Sequence, residues 1–337
     1  MDINNMNNIT YITDGNLFKP GNISAMRHAI RLSGIANAST QALFSATQYL
    51  PSLVGNQNIA ARRLVELETR VREIATVMPI SLDVSLRSFE QLQKEQINAN
   101  DADLQEIAED LESEMTAIRS TIKHQAEQLN AALAPVAHAL DRLTTNGYLG
   151  TFESDNQFQR KQIEATQAQI TALRASRDEV SSAINLIQSP DFASIANDTL
   201  LTAENLLKSG MDAPQTAKVE AAIEVIRKLI GEAEKGFTLL NLIEQRDSMT
   251  NRLSTFTRDV RALEDQTAAN ERFIELIKGV YQFDECRGQA VAEATNVLAT
   301  LDNVLVHAGR LDVKEGAKLE EIIQTLRALA HYVGGLS

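Results

Sequence analysis

Residues 104–143 read LQEIAEDLESEMTAIRSTIKHQAEQLNAALAPVAHALDRL. Apolar or small side chains recur at Leu104, Ile107, Leu111, Met115, Ile118, Ile122, Ala126, Leu129, Leu133, Val136, Leu140 and Leu143. The mean step is about 3.5 residues, the spacing of a helix that buries one stripe in a coiled-coil seam. From Leu104 to Ala126 the stripe repeats every 11 residues, and from there to Leu140 every 7, so the predicted twist relaxes partway along.

The same period extends to either side. A second stripe runs Ile163, Thr166, Ile170, Leu173, Arg177, Val180, Ile184, Ile187. A third runs Val219, Ile223, Ile226, Ile230, Ala233, Phe237, Leu240 and resumes at Leu253, Phe256, Val260, Leu263, Thr267, Asn270, Ile274, Ile277. Its register slips over residues 244–250, which reads as a stutter in one helix or as a hinge. Taken as one helix, residues 214–277 would reach about 95 Å, longer than a compact chain of this size is wide. The sequence therefore predicts an all-α fold, an elongated antiparallel rod with a coiled-coil stalk and a small helical head from the middle of the chain. The predicted division is 1–132 for the first stalk helices, 133–213 for the head and 214–337 for the remaining stalk helices.

Composition agrees. Of 337 residues, 44% are hydrophobic, only 4% are aromatic, Trp is absent, and Gly and Pro number 15 and 6. Few turn formers and few aromatics argue against an all-β sandwich or barrel. The predicted breaks fall at Pro20-Gly21, Pro51 with Gly55, residues 98–101, residues 146–150, Ser189-Pro190-Asp191, residues 210–214, 279–288 and 309–316. Ser189-Pro190 reads as a cap and first turn of a helix.

Charge excludes further classes. The net charge of −13 disfavours nucleic acid as a partner, because phosphate binding rests on basic patches. Cutting at the breaks gives +1 for residues 1–100, −10 for 101–213 and −4 for 214–337. Much of the central excess is the run Asp101, Asp103, Glu106, Glu109, Asp110, Glu112, Glu114. It reads as the solvated start of a helix, where carboxylates complement the dipole, or as a docking face for a basic partner.

Chemistry-bearing motifs are lacking. His28, His124, His138, His307 and His331 form no i,i+4 pair, so no metal ligand set is legible. Cys286 is the single cysteine, which excludes an intrachain disulfide, and no His beside it supports a nucleophile. Walker A, GxGxxG and GxSxG patterns are absent. The reading is a non-enzyme with no cofactor. The N-terminus has no cationic start and no apolar core, so no secretory signal peptide is legible, and no run of about 18 apolar residues reads as a transmembrane helix.

Three segments are poor in charge. Residues 32–61 carry no Asp, Glu, Lys or Arg. Residues 133–152 carry only Asp141 and Arg142, and residues 181–203 only Asp191 and Asp198. The last two flank the chain centre and supply Leu140, Leu143, Tyr148, Leu149, Phe152, Ile184, Ile187, Phe192, Ile195, Leu200 and Leu201. One reading packs them on each other as a head. The other makes them amphipathic helices that unpack at a membrane, one face to lipid and the other to a pore, which requires oligomerisation to satisfy the backbone.

The long seams over 104–143 and 219–277, with the weakly charged centre, resemble the α-helical pore-forming cytolysins. The pattern is most similar to the B component of the alpha-xenorhabdolysin-type binary cytotoxins. That resemblance implies a monomer with a helical stalk and head, an A-component partner, a hetero-oligomeric ring and lysis of host cells. With no signal peptide legible, secretion is expected by a non-classical route, and the central helices are expected to swing out at a hinge near Gly147, Gly150 or Gly210. Many such cytolysins carry an obvious apolar hairpin in the head and this chain does not, which suits a component that inserts after its partner has engaged the membrane. The rival reading is a non-lytic coiled-coil scaffold or adaptor that binds partner helices along the same seams.

Overall fold

In the computed structural model the described residues are 17–336 except 98, 193, 232–235 and 314–315. The N-terminal stretch read for a signal peptide and Ala233 of the third stripe lie outside them. Among the described residues there are eight α-helices: α1 Ile23–Thr47, α2 Pro51–Gln96, α3 Asp101–Leu133, α4 Arg142–Ile187, α5 Ala203–Lys208, α6 Ala213–Ile230, α7 Leu239–Ala308 and α8 Gly316–Gly334. Short 3-10 turns sit at Ala134–Val136 and Pro190–Phe192. Extended pairing among the described residues is limited to one isolated antiparallel bridge, Leu200 with Thr238. The all-α expectation is borne out.

Local chemistry sets the helix ends. Asn100 accepts from the amides of Ala102 and Asp103 at 3.0 and 3.1 Å, and the Asp103 carboxylate accepts from the Asn100 amide, so a capping box starts α3. Asp212 and Gln215 form a second box at α6, with Pro214 in its first turn. Gly231, at φ +71°, closes α6 in the left-handed region that costs glycine little. Between α1 and α2, Gln48 and Leu50 take the left-handed region at φ 52° without being glycine, and Pro51 opens α2.

The chain forms two compact units. The first comprises residues 1–147 and 275–337. Its core runs along α2, α3, the C-terminal part of α7 and α8, through Leu64, Leu67, Ile74, Met78, Leu111, Met115, Ile122, Leu129, Leu301 and Leu329. Each such fully buried aliphatic side chain contributes about 1.5–3 kcal/mol. The second unit comprises residues 148–274, and its core joins Val180, Ile184, Leu206, Val219, Ile226, Phe237 and Leu242.

Several local expectations change. The seam over 104–143 holds from Ile107 to Val136, but Leu104 is 37% and Leu143 is 90% exposed. The helix ends at Leu133 because Pro135 supplies no amide to continue the hydrogen-bond ladder. Residues 214–277 are not one helix: α6 stops at Gly231, and α7 then runs unbroken through residues 244–250. Neither residues 146–150 nor residues 279–288 break the chain, since α4 and α7 pass through them. Gly279 is a close-approach glycine, because a Cβ there would lie 2.8 Å from Thr40 Oγ1 on α1. Ser189-Pro190 opens only a 3-10 turn.

Candidate functional site

The central residues singled out from sequence separate into four groups. Ile184 and Ile187 lie on the buried face of α4, with Val180 and Ala183 one turn earlier. Phe192 from the 3-10 turn and Leu201 are buried in the same cluster, and Ile195 packs against it half-buried. These form the second unit's core. Leu140 and Leu143 belong to the first unit. Leu140 is half-buried against Val54, Leu276 and Val280, whereas Leu143 is almost fully exposed. Further along α4, Tyr148 is exposed and Leu149 and Phe152 are half-buried. The ring of Phe152 lies 5.2 Å from that of Phe273 in a tilted contact.

Leu200 is 49% exposed and marks an apolar loop end of the second unit. Pairing of residues 197–201 with 237–240 builds this end: the Leu201 amide donates to Phe237 O at 2.8 Å and the Leu240 amide to Asn197 O at 3.2 Å. Leu200 lies over Gly236, where a Cβ would meet its Cδ2 at 2.7 Å. Asn205 Nδ2 donates to Leu200 O, which ties α5 to the same place. The Arg227 guanidinium, 5.9 Å above the Phe237 ring, ties in the end of α6. Leu207, Leu229, Ile230 and Leu240 are also exposed in this unit. Of these, Leu240 belongs to the segment that pairs with residues 197–201. Sequence reading missed Leu207 and Leu229 and placed Ile230 and Leu240 in a buried seam. Ile230 is the last residue of α6, which Gly231 ends, and Leu240 lies in the first turn of α7, so the two do not share one continuous seam.

The three glycines read as hinges occupy different settings. Gly147 and Gly150 lie within α4 with open space where a Cβ would project, and Gly210 has φ +97° in the link from α5 to α6.

No group of three or more His, Cys, Asp or Glu among the described residues is arranged to hold a metal ion. The Cys286 thiol is buried, and burial followed by the Glu285 charge pushes its pKa up, away from reactive thiolate. No helix among the described residues is long and apolar enough to cross a membrane.

No family model matches the chain, and no curated protein matches it in sequence. Its fold is nonetheless shared with solved structures. PaxB from Photorhabdus luminescens shares that fold with a TM-score of 0.79 at 14% identity, over 95% of this chain and 96% of PaxB. XaxB from Xenorhabdus matches with a TM-score of 0.69 at 15% identity, over 94% of this chain and 96% of that one. A chain of the XaxAB pore complex from Xenorhabdus nematophila matches at 0.64 and 14%, over 94% and 99%. The resemblance to the B components of binary helical cytotoxins, drawn from seams and charge, is borne out as a likeness of fold.

Proposed function

We propose that this chain is a subunit of a binary α-helical pore-forming toxin. It pairs with an A-component subunit, joins a hetero-oligomeric ring and inserts central helices into the membrane of a host cell. It is not an enzyme, and it is secreted before it acts. The carrying observation is the likeness of fold to PaxB over nearly the whole of both chains. The likeness to a chain of the XaxAB pore complex supports assembly into a pore.

In this reading the unit of residues 148–274 acts as the head. Once the partner has engaged the membrane, the exposed Leu200, Leu207, Leu229, Ile230 and Leu240 meet lipid or a neighbouring head. The buried Ile184, Ile187, Phe192 and Leu201 become exposed only when the head unpacks. Gly147, Gly150 and Gly210 allow the backbone to change direction as it does so. Neighbouring subunits then cover the freed backbone groups, which hydrocarbon cannot satisfy.

Haemoglobin release from red cells tests the reading. The purified chain is assayed alone and with the product of the gene neighbouring its own. Release with both and not with either establishes a binary pore former. Release by this chain alone discards the obligate partner. No release in either case, with the helical fold confirmed by circular dichroism, favours the scaffold.

A further inference from the structure

The link between α3 and α4 has an unusual source of backbone hydrogen bonds. Residues 137–141 are not helical, so their polar groups need partners from elsewhere. Two buried side chains of α7 provide them. Asp284, 5% exposed, accepts from the Leu140 amide at 3.0 Å. Arg287, also 5% exposed, donates Nη1 to Val136 O at 2.7 Å and to Ala137 O at 3.3 Å. The two are joined to each other, Arg287 Nε to Asp284 Oδ1 at 2.8 Å.

The first turn of α4 is held by the same group. Arg142 Nε donates to Asp284 Oδ2 at 3.2 Å, and its Nη2 donates to Tyr281 O. Arg142 also lies 5.1 Å above the Tyr281 ring, with Glu285 3.7 Å from its Nη1. The Tyr281 hydroxyl reaches Thr145 Oγ1 at 2.8 Å and donates to Asn146 Oδ1 at 2.7 Å. All of these residues lie in the first unit, and α4 continues from them into residues 148–274.

We propose that the Asp284–Arg287 pair, with Arg142, is a release catch that sets how readily residues 137–146 leave α7. The physical reason is that a buried ion pair has two good states and poor intermediates. Closed, the two charges and the link groups they bind are all partnered; fully open, water satisfies them. Partly open, a charge is buried alone, which is strongly unfavourable. The apolar core along α2, α3 and α8 touches the joint only at its end, through Val136, Phe283 and the half-buried Leu140, and extends along the helices far beyond it. The catch therefore governs opening of one joint, and its role in toxin action rests on the pore-forming reading above.

Hydrogen–deuterium exchange on the full-length chain tests the joint without any lytic assay. Asp284→Asn removes the anion and leaves Arg287 buried without its counter-charge. Amide exchange over 137–146 should rise about 100-fold, while α2, α3 and α8 stay within about twofold of the parent. Tyr281→Phe loosens the same turn from its half-exposed side and should raise exchange several-fold at Thr145 and Asn146; it decides the matter if Asp284→Asn does not fold. Unchanged exchange over 137–146, or an equal rise throughout the first unit, overturns the catch and makes the pair a plain stabiliser. Haemolysis with the neighbouring gene product gives the second arm. Where the parent chain lyses, a loosened variant should shorten the lag before lysis, and an unchanged lag overturns the catch. Where the parent does not lyse, the pore-forming reading fails while the exchange result still judges the joint.

Discussion

Ile184 and Leu200 are equally apolar and belong to the same charge-poor segment, yet one is sealed and the other is half exposed. Their substitutions should separate stability from function. Ile184→Ala removes core atoms and should cost about 2–5 kcal/mol in urea unfolding. Leu200→Glu changes a surface position and should stay within about 0.5 kcal/mol in the same titration. On the pore-forming reading it should still abolish haemoglobin release, and full lytic activity would remove the loop end from the mechanism. Asp141 gives a pH prediction at the start of α4. It accepts from Thr144 Oγ1 at 2.9 Å and from the amides of Leu143 and Thr144 at 3.0 and 3.4 Å. These bonds, the Thr144 hydroxyl first, lower its pKa below the usual carboxylate value. A lowered folded pKa stabilises above the unfolded value and loses that contribution as pH falls through the folded one. Amide protection at Leu143 and Thr144 should therefore be constant near neutrality and fall below about pH 4. Asp141→Asn should flatten that dependence.

At the scale of elements, the charge-free stretch of residues 32–61, shared by α1 and α2, contains glycines whose role is opposite to that of the glycine facing it. Gly34 and Gly55 are helical with nothing near where a Cβ would stand, so Gly→Ala at either should stabilise by up to about 1 kcal/mol. Gly279 on α7 faces Thr40 Oγ1, which also receives the buried Gln57 Nε2 at 3.3 Å. Gly279→Ala should instead destabilise by about 1–3 kcal/mol, because Thr40 cannot retreat without losing that bond. Thermal melts of the three variants check the contrast, and a stabilising Gly279→Ala would refute the close approach. Reading Gly279 as a breaker from sequence failed for this reason: composition does not distinguish a glycine that ends a helix from one that lets two helices touch.

For the whole molecule, charge supplies the prediction. A chain of net charge −13 gains nothing from an anionic bilayer surface. Co-sedimentation of the isolated chain should therefore be no stronger with phosphatidylserine-containing vesicles than with purely zwitterionic ones. Preferential pelleting with the anionic vesicles would mean that a local surface, not net charge, drives contact. Membrane engagement in the proposed assembly then falls first to the partner subunit.

The sequence by itself determined what depends on near neighbours along the chain. Three-four spacing specified the helices, and the seam from Ile107 to Val136 became a buried stripe because its period keeps one face inward. The break read at residues 210–214 falls where α5 gives way to α6. Tertiary structure alone decided which apolar residues of the centre are covered. Ile184 and Leu201 are buried and Leu200 and Leu240 exposed because pairing of 197–201 with 237–240 brings distant segments together. It alone brought Asp284 and Arg287 to the link before α4, a contact across more than a hundred residues. Periodicity carries which face of a helix is apolar; what that face meets depends on contacts that no local pattern encodes.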